Sequence, residues 1–279
     1  MKFKLFILIV ALALLFVPGI AAQGTPAPEE EEFDFERAYQ DYVFTLDVYN
    51  SVHADYLLSK AQYEQAGTLV AQSKAQEATT KMLETRDDVV TTYLTAIRMR
   101  MVEAEGVSDI TKNGLFSRID SEVAWFKDHK KRLPSAGTLA DLQADSEEAS
   151  KRFMELTQTV AYETLSTIPF GKLSLMRTAT GGILSDINNK VFQIRANGDK
   201  DTAIIERWAL EIESKITRSL DKEIEAQALI PNFTSDSRHR NPDHRKTYNE
   251  IIFKLDESRQ FLRDATEFIE EIIREITTV

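Results

Sequence analysis

The chain has 279 residues, 43% of them hydrophobic and 28% charged, with a formal net charge of -11. That length buries a sizeable core in one or two domains, and a surface this acidic disfavours nonspecific binding to nucleic acid or anionic lipid. The absence of cysteine excludes disulfides, thiolate metal sites and cysteine nucleophiles together.

Lys2 and Lys4 precede an apolar run of 13 residues, Leu5 to Val17, which Pro18 and Gly19 end before the small residues Ala21, Ala22 and Gly24. A basic start, a short apolar stretch and small residues read as a secretory signal over residues 1–24. The run is shorter than the roughly 20 residues that span a bilayer. Residues 25–33 begin TPAPEEEE and read as a disordered acidic spacer. The expected location is therefore secreted, extracellular or periplasmic, with no stable membrane span once the signal is removed.

From residue 34 to 279 the pattern is helical, with glycines and prolines as joints. Helix 1 runs from an Asp34 N-cap to near Gly67. Phe35, Tyr42, Tyr49, Tyr56, Tyr63 and Val70 recur every seventh residue along it, accompanied by Tyr39, Leu46 and His53. This spacing makes an aromatic stripe along about nine turns. The stripe reads as a half-buried seam of the bundle, or as an aromatic groove for a peptide, a glycan or a second copy of the chain.

Helix 2 spans about Val70 to Glu105, with Leu83, Val90, Tyr93, Ile97 and Met101 at helical spacing. Helix 3 spans about Lys112 to Arg132, carrying Leu115, Ile119, Val123, Phe126 and, just beyond, Leu133. Helix 4 opens at Thr138, where Asp141 completes a capping pair. Leu139, Leu142, Ala149, Phe153, Leu156 and Val160 then hold an a/d pattern with Leu156 as core.

Pro169 and Gly171 are the next joint, read either as a boundary that subdivides the bundle near 169–171 or as a kink in a continuing helix. Helix 5, about Lys172 to Ala196, points Ile183, Ile187, Val191 and Ile194 inward. Its Gly181 and Gly182 predict a close helix approach or a local break. Helix 6 follows Asn197-Gly198 and carries Ile205, Trp208, Ile212, Ile216, Leu220 and Ile224. Helix 7 starts at an Asn241 cap with Pro242 and Asp243 in place, and runs Ile251 to Ile276.

The expected fold is all-α: an elongated antiparallel bundle of about seven long helices with coiled-coil-like packing. No Glu-x-x-His di-iron pair, zinc-binding His-Glu-x-x-His, nucleophile elbow or phosphate loop occurs in the sequence. The expectation is accordingly no catalytic residues, no metal and no cofactor. One loop gathers Asp236, Arg238, His239, Arg240, Asp243, His244, Arg245 and Lys246; its cations repel a metal ion but suit an anionic partner. A second basic cluster, Lys127, Lys130, Lys131 and Arg132, complements the C-terminal dipole of helix 3. Asn232-Phe233-Thr234 matches a glycosylation sequon, relevant in a glycosylating secretory pathway.

The weak binding candidates are Tyr42, Tyr49, Tyr56, Tyr63, Arg238, His239, Arg240, His244 and Arg245. Together these features predict a secreted, non-catalytic helical protein that binds or scaffolds at the cell exterior. Its partner is a protein, another cell-surface component or a second copy of the chain, and not nucleic acid. A pore-forming or lipid-binding helical bundle is the alternative, followed by an enzyme with an unfamiliar carboxylate site.

Overall fold

A computed structural model describes residues 33–197, 201–234 and 243–277. The predicted signal and most of the spacer lie outside the described residues. Among those that are described, no strand occurs. Helix α1 (Phe35–Ala66) is capped by Asp34, whose side chain accepts from the Arg37 backbone N–H, and ends at Gly67 with φ 60°. Thr68 caps α2 (Leu69–Val102), and Ser108 caps α3 (Asp109–Arg132). These hydroxyls satisfy backbone donors that have no partner inside the helix.

After the 3₁₀ turn Leu133–Ser135, Thr138 caps the segment Leu139–Arg152. A π turn, Phe153–Thr157, leads directly into Gln158–Asn197, so residues 139–197 form one continuous rod, named α4. Helix α5 (Ala203–Gln227) and the 3₁₀ turn Ile230–Phe233 precede α6 (His244–Thr277). Asp243 Oδ1 accepts from the Lys246 N–H at the start of α6. The cap expected of Asn241 lies outside the described residues.

Among the described residues six helices therefore pack together rather than seven, because Pro169 sits inside α4 without ending it. A proline in a helix interior costs about 3 kcal/mol or more. Neighbours on both sides of that point hold the rod in place. Upstream of Pro169 it meets α2 and α3 and, through Thr159 and Tyr162, also Phe233 and the start of α6; downstream it packs on α5 and α6. Gly171 is a contact rather than a joint: a Cβ there would stand 2.4 Å from the Glu105 carbonyl oxygen. Opposite it, Gly106 turns with φ 74°, and a Cβ on that residue would stand 2.2 Å from the Gly171 carbonyl oxygen.

Sequential helices run antiparallel. Thr45 meets Thr92 and the Phe35 N–H donates to Glu103, which sets α1 against α2. Arg98–Asp120 and Lys130–Asp88 pair α2 with α3, while Arg177–Glu223 and Arg195–Glu206 pair α4 with α5. Ser219–Ser258 and Lys215–Asp264 set α5 against α6. Buried positions alternate by four and three along α5 (Ile205, Ala209, Ile212) and α6 (Ile251, Leu255, Ser258, Leu262, Ala265, Ile269, Ile272).

Three inward faces differ from the sequence pattern. Leu156 is 50% exposed, whereas Thr157 and Val160 are buried. The wider π turn sets the inward face of α4 back by one residue. On α5, Leu220 and Ile224 are exposed, while Ser219, Glu223 and Ala226 are buried. The apolar run read from the sequence steps by four and rotates away from the seam, which advances by seven residues per two turns. On α4, Ile187 and Val191 are buried but Ile183 is exposed. Gly181 and Gly182 mark neither a close approach nor a break, since a Cβ on either would meet nothing within 4 Å.

The glycines of α4 consequently predict opposite effects. Gly171→Ala is expected to cost about 1–3 kcal/mol through its backbone clash, whereas Gly181→Ala is expected to add about 0.5–1 kcal/mol of helix stability. Urea melts of the two variants check this, and equal midpoints would refute the assigned packing.

Candidate functional site

Tyrosines on α1 point toward α2 because a seven-residue spacing holds them on one helix face. Tyr49 is buried among Met82, Leu83, Leu133 and Leu142, while Tyr42, Tyr56 and Tyr63 are half-buried and Val70 is exposed. Rings meet along the stripe: Phe35–Tyr39 at 5.8 Å, Tyr42–Tyr93 at 5.5 Å, Tyr49–His53 at 5.6 Å and His53–Tyr56 at 5.8 Å. The stripe is a seam, buried most deeply at Tyr49.

Of the loop's binding candidates, His244 and Arg245 are described. His244 is buried, with Nε2 3.1 Å from the Thr159 hydroxyl and its ring stacked on Tyr162 and Phe233. Arg245, one residue on and about 100° around the helix, is exposed. It lines a shallow groove with Leu229, Asp243, Asn249 and Phe253. Arg238, His239 and Arg240 lie outside the described residues. The second basic cluster is partly paired: Lys130 with Asp88, Lys131 with Asp128 and Arg132 with Glu148.

A buried polar network lies where α2, α3 and α4 meet. His129 Nδ1 stands 2.5 Å from Asp87 Oδ2, with both side chains buried, and Nε2 is 3.2 Å from the Asp145 carbonyl oxygen. Trp125 stacks on the His129 ring at 5.0 Å with 13° between planes, fixing its orientation. Arg86 donates to Ser146 Oγ at 2.9 Å and lies 3.8 Å from Asp87. Burial lowers the pKa of Arg86, and Asp87 opposes that shift. Beside Trp125, Arg152 clasps Glu122 through two bonds of 3.0 and 2.7 Å, and the Thr157 hydroxyl donates to the same carboxylate at 2.9 Å. Thr157 is the residue that the π turn brings inward.

No family model matches the chain, and no curated protein or solved structure shows significant similarity to it.

Phe126, not glutamate, stands three residues before His129, so no Glu-x-x-His spacing points to this histidine. A signal was nevertheless present. Leu115, Ile119, Glu122, Phe126, His129 and Leu133 share one helix face, so an acid and a histidine interrupt an apolar stripe. Asp87 does the same between Leu83 and Val90. A buried charge persists only when paired, which makes such interruptions evidence for a network.

Two predictions follow the burial. Tyr49→Ala is expected to cost about 3 kcal/mol or more, and Tyr63→Ala well under half of that; thermal melts that rank them equally would remove Tyr49 from the core. Burial raises the pKa values of Tyr42, Tyr49, Tyr93, Tyr162 and Tyr248 above the usual 10.0. Un-ionised phenols thus support the fold below pH about 10, and that support falls as the unfolded phenols ionise above it. Absorbance titration should show these five ionising late and together with alkaline unfolding, and titration of all eight near pH 10 in folded protein would contradict it.

Proposed function

We propose that the chain is a secreted, non-catalytic helical scaffold that works at the cell exterior by binding a protein partner. The observation that carries this reading is the outer face of α1. Phe44 is 69% exposed and Leu58 60% exposed, with Leu57 beside it, and the α1–α2 tip presents Leu69 at 83%. Phe44 and Leu58 lie 14 residues apart, or about 21 Å along the axis. This is the layout of anchors that accept an apolar strip from another helix. Phe44, the Leu57–Leu58 pair and Leu69 are separate exposed apolar groups spaced along one helix and its tip, which suits a partner lying along α1.

The inward groups support a non-catalytic role. Asp87, Glu122 and His244 are buried and engaged with other protein groups, so none of these three is offered to a substrate. Export rests on the Lys2 to Gly24 pattern. Among the described helices none is long and apolar enough to cross a membrane. The acidic chain also favours a protein partner over anionic lipid.

The test compares wild type with Phe44→Ser/Leu58→Ser in crosslinking to native exterior extracts and in leakage of dye from anionic vesicles. Wild type is expected to crosslink to a defined protein, a second copy included, and the double variant to lose that product while its melting temperature holds. Vesicle leakage that the same substitutions abolish would replace this reading with the membrane-active one. A crosslinked product unchanged in the variant would remove α1 from the interface.

A further inference from the structure

We propose that His129, Asp145 and Glu148 form a binding site for a divalent transition-metal ion, zinc being the best fit by ligand chemistry. His129 comes from the last turn of α3, and Asp145 and Glu148 from adjacent turns at the start of α4. One ligand atom from each lies within 4.8 Å of the others. His129 is the buried floor, Asp145 is half-buried and Glu148 is exposed, so the carboxylates open toward solvent and give an ion a way in.

The decisive feature is what surrounds the imidazole. A carboxylate accepts hydrogen bonds, so the ring proton belongs on Nδ1, facing Asp87 Oδ2 at 2.5 Å. Nε2 then faces oxygens: the Asp145 carbonyl at 3.2 Å, which can only accept from it, and side-chain oxygens of Asp145 and Glu148 gathered within 4.8 Å. None of these groups can donate to it. A buried ring nitrogen that faces only oxygen acceptors carries either a proton, donated to the Asp145 carbonyl, or a metal ion shared among those oxygens, and the ion competes with the proton for the same edge. A carboxylate on the remote ring nitrogen is also the usual support of a metal-bound histidine, fixing its tautomer and raising its basicity. Trp125 stacked against the ring holds it in the orientation required.

One imidazole and two carboxylates suit zinc and its neighbours, with coordination positions left for water. Calcium and magnesium prefer all-oxygen sites. Two cations compete locally. Arg132 lies 3.8 Å from Glu148, but its side chain is largely exposed and can swing into solvent. Arg86 is tied to Ser146 and lies beside Asp87, where it balances the second-shell carboxylate.

The full chain, stripped with chelator, is titrated with zinc by calorimetry and with cobalt by visible absorption, with magnesium as control. Wild type is expected to bind one zinc and one cobalt per chain and to melt higher with zinc. Asp145→Asn/Glu148→Gln is expected to bind at least about tenfold more weakly, with an unchanged metal-free melting temperature because both side chains lie toward solvent. His129→Asn reports the third ligand through loss of the cobalt band. Absence of saturable zinc binding by wild type would overturn the site and leave a ring protonated on both nitrogens. Equal zinc binding by wild type and the carboxylate variant would place the ion at other residues and overturn the assignment as well.

Discussion

Helix α4 is shared by two groups of helices, and the remaining architecture depends on its passing residue 169 unbroken. Its start completes the α1–α2–α3 group, Thr159 and Tyr162 in its middle already meet α6, and its second half is the third member of the α5–α6 group. A break at Pro169 would leave two smaller cores, each with less of its surface removed from water. The crossing of Gly106 over Gly171 fixes the α2–α3 turn against the rod just beyond the proline. Here a residue that disfavours a helix and a residue that permits close approach act at one place.

The upstream half of α4 is positioned by polar groups as well as apolar ones. Glu122 draws Arg152 and Thr157 toward α3, and the π turn between them is the local distortion that lets both reach it. The same turn moves Leu156 outward, so the apolar periodicity is sacrificed to satisfy a buried carboxylate. That ordering follows the magnitudes. An exposed leucine forgoes about 2 kcal/mol of burial, whereas a buried charge without its partner costs about 3–5 kcal/mol.

These cases explain what could be read in the sequence. The ends of α1 and the start of α4 were legible because Asp34, Gly67 and Thr138 act through contacts with immediate chain neighbours, whereas α3 starts three residues before the expected Lys112, at a Ser108 cap that the apolar spacing does not mark. The all-helical class was legible because it rests on periodicity. The facing of Leu156, Leu220 and Ile224 was not, since it depends on the register of a partner helix and on one inserted turn. Asp87, His129 and Asp145 lie 42 and 16 residues apart in succession, and no local spacing announces their meeting. Pro169 admitted two readings, and packing on both flanks decided between them.

The pair formed by Ser219 and Ser258, at 2.8 Å in the seam between α5 and α6, has a consequence for the choice among sliding states. Apolar residues at every inward position would let two helices shift by seven residues at modest loss. Such a shift would set Ser219 opposite Ile251 or Ala265 and strand a hydroxyl in an apolar layer. Each stranded hydroxyl costs about 1–3 kcal/mol, and a slide would expose both serines to that penalty. Glu223, which takes a bond from the Ser258 hydroxyl and pairs with Arg177 of α4, extends the same discrimination to a third helix. These few polar side chains raise the energy of misaligned pairings far more than they stabilise the correct one, and so give the hairpin a unique alignment.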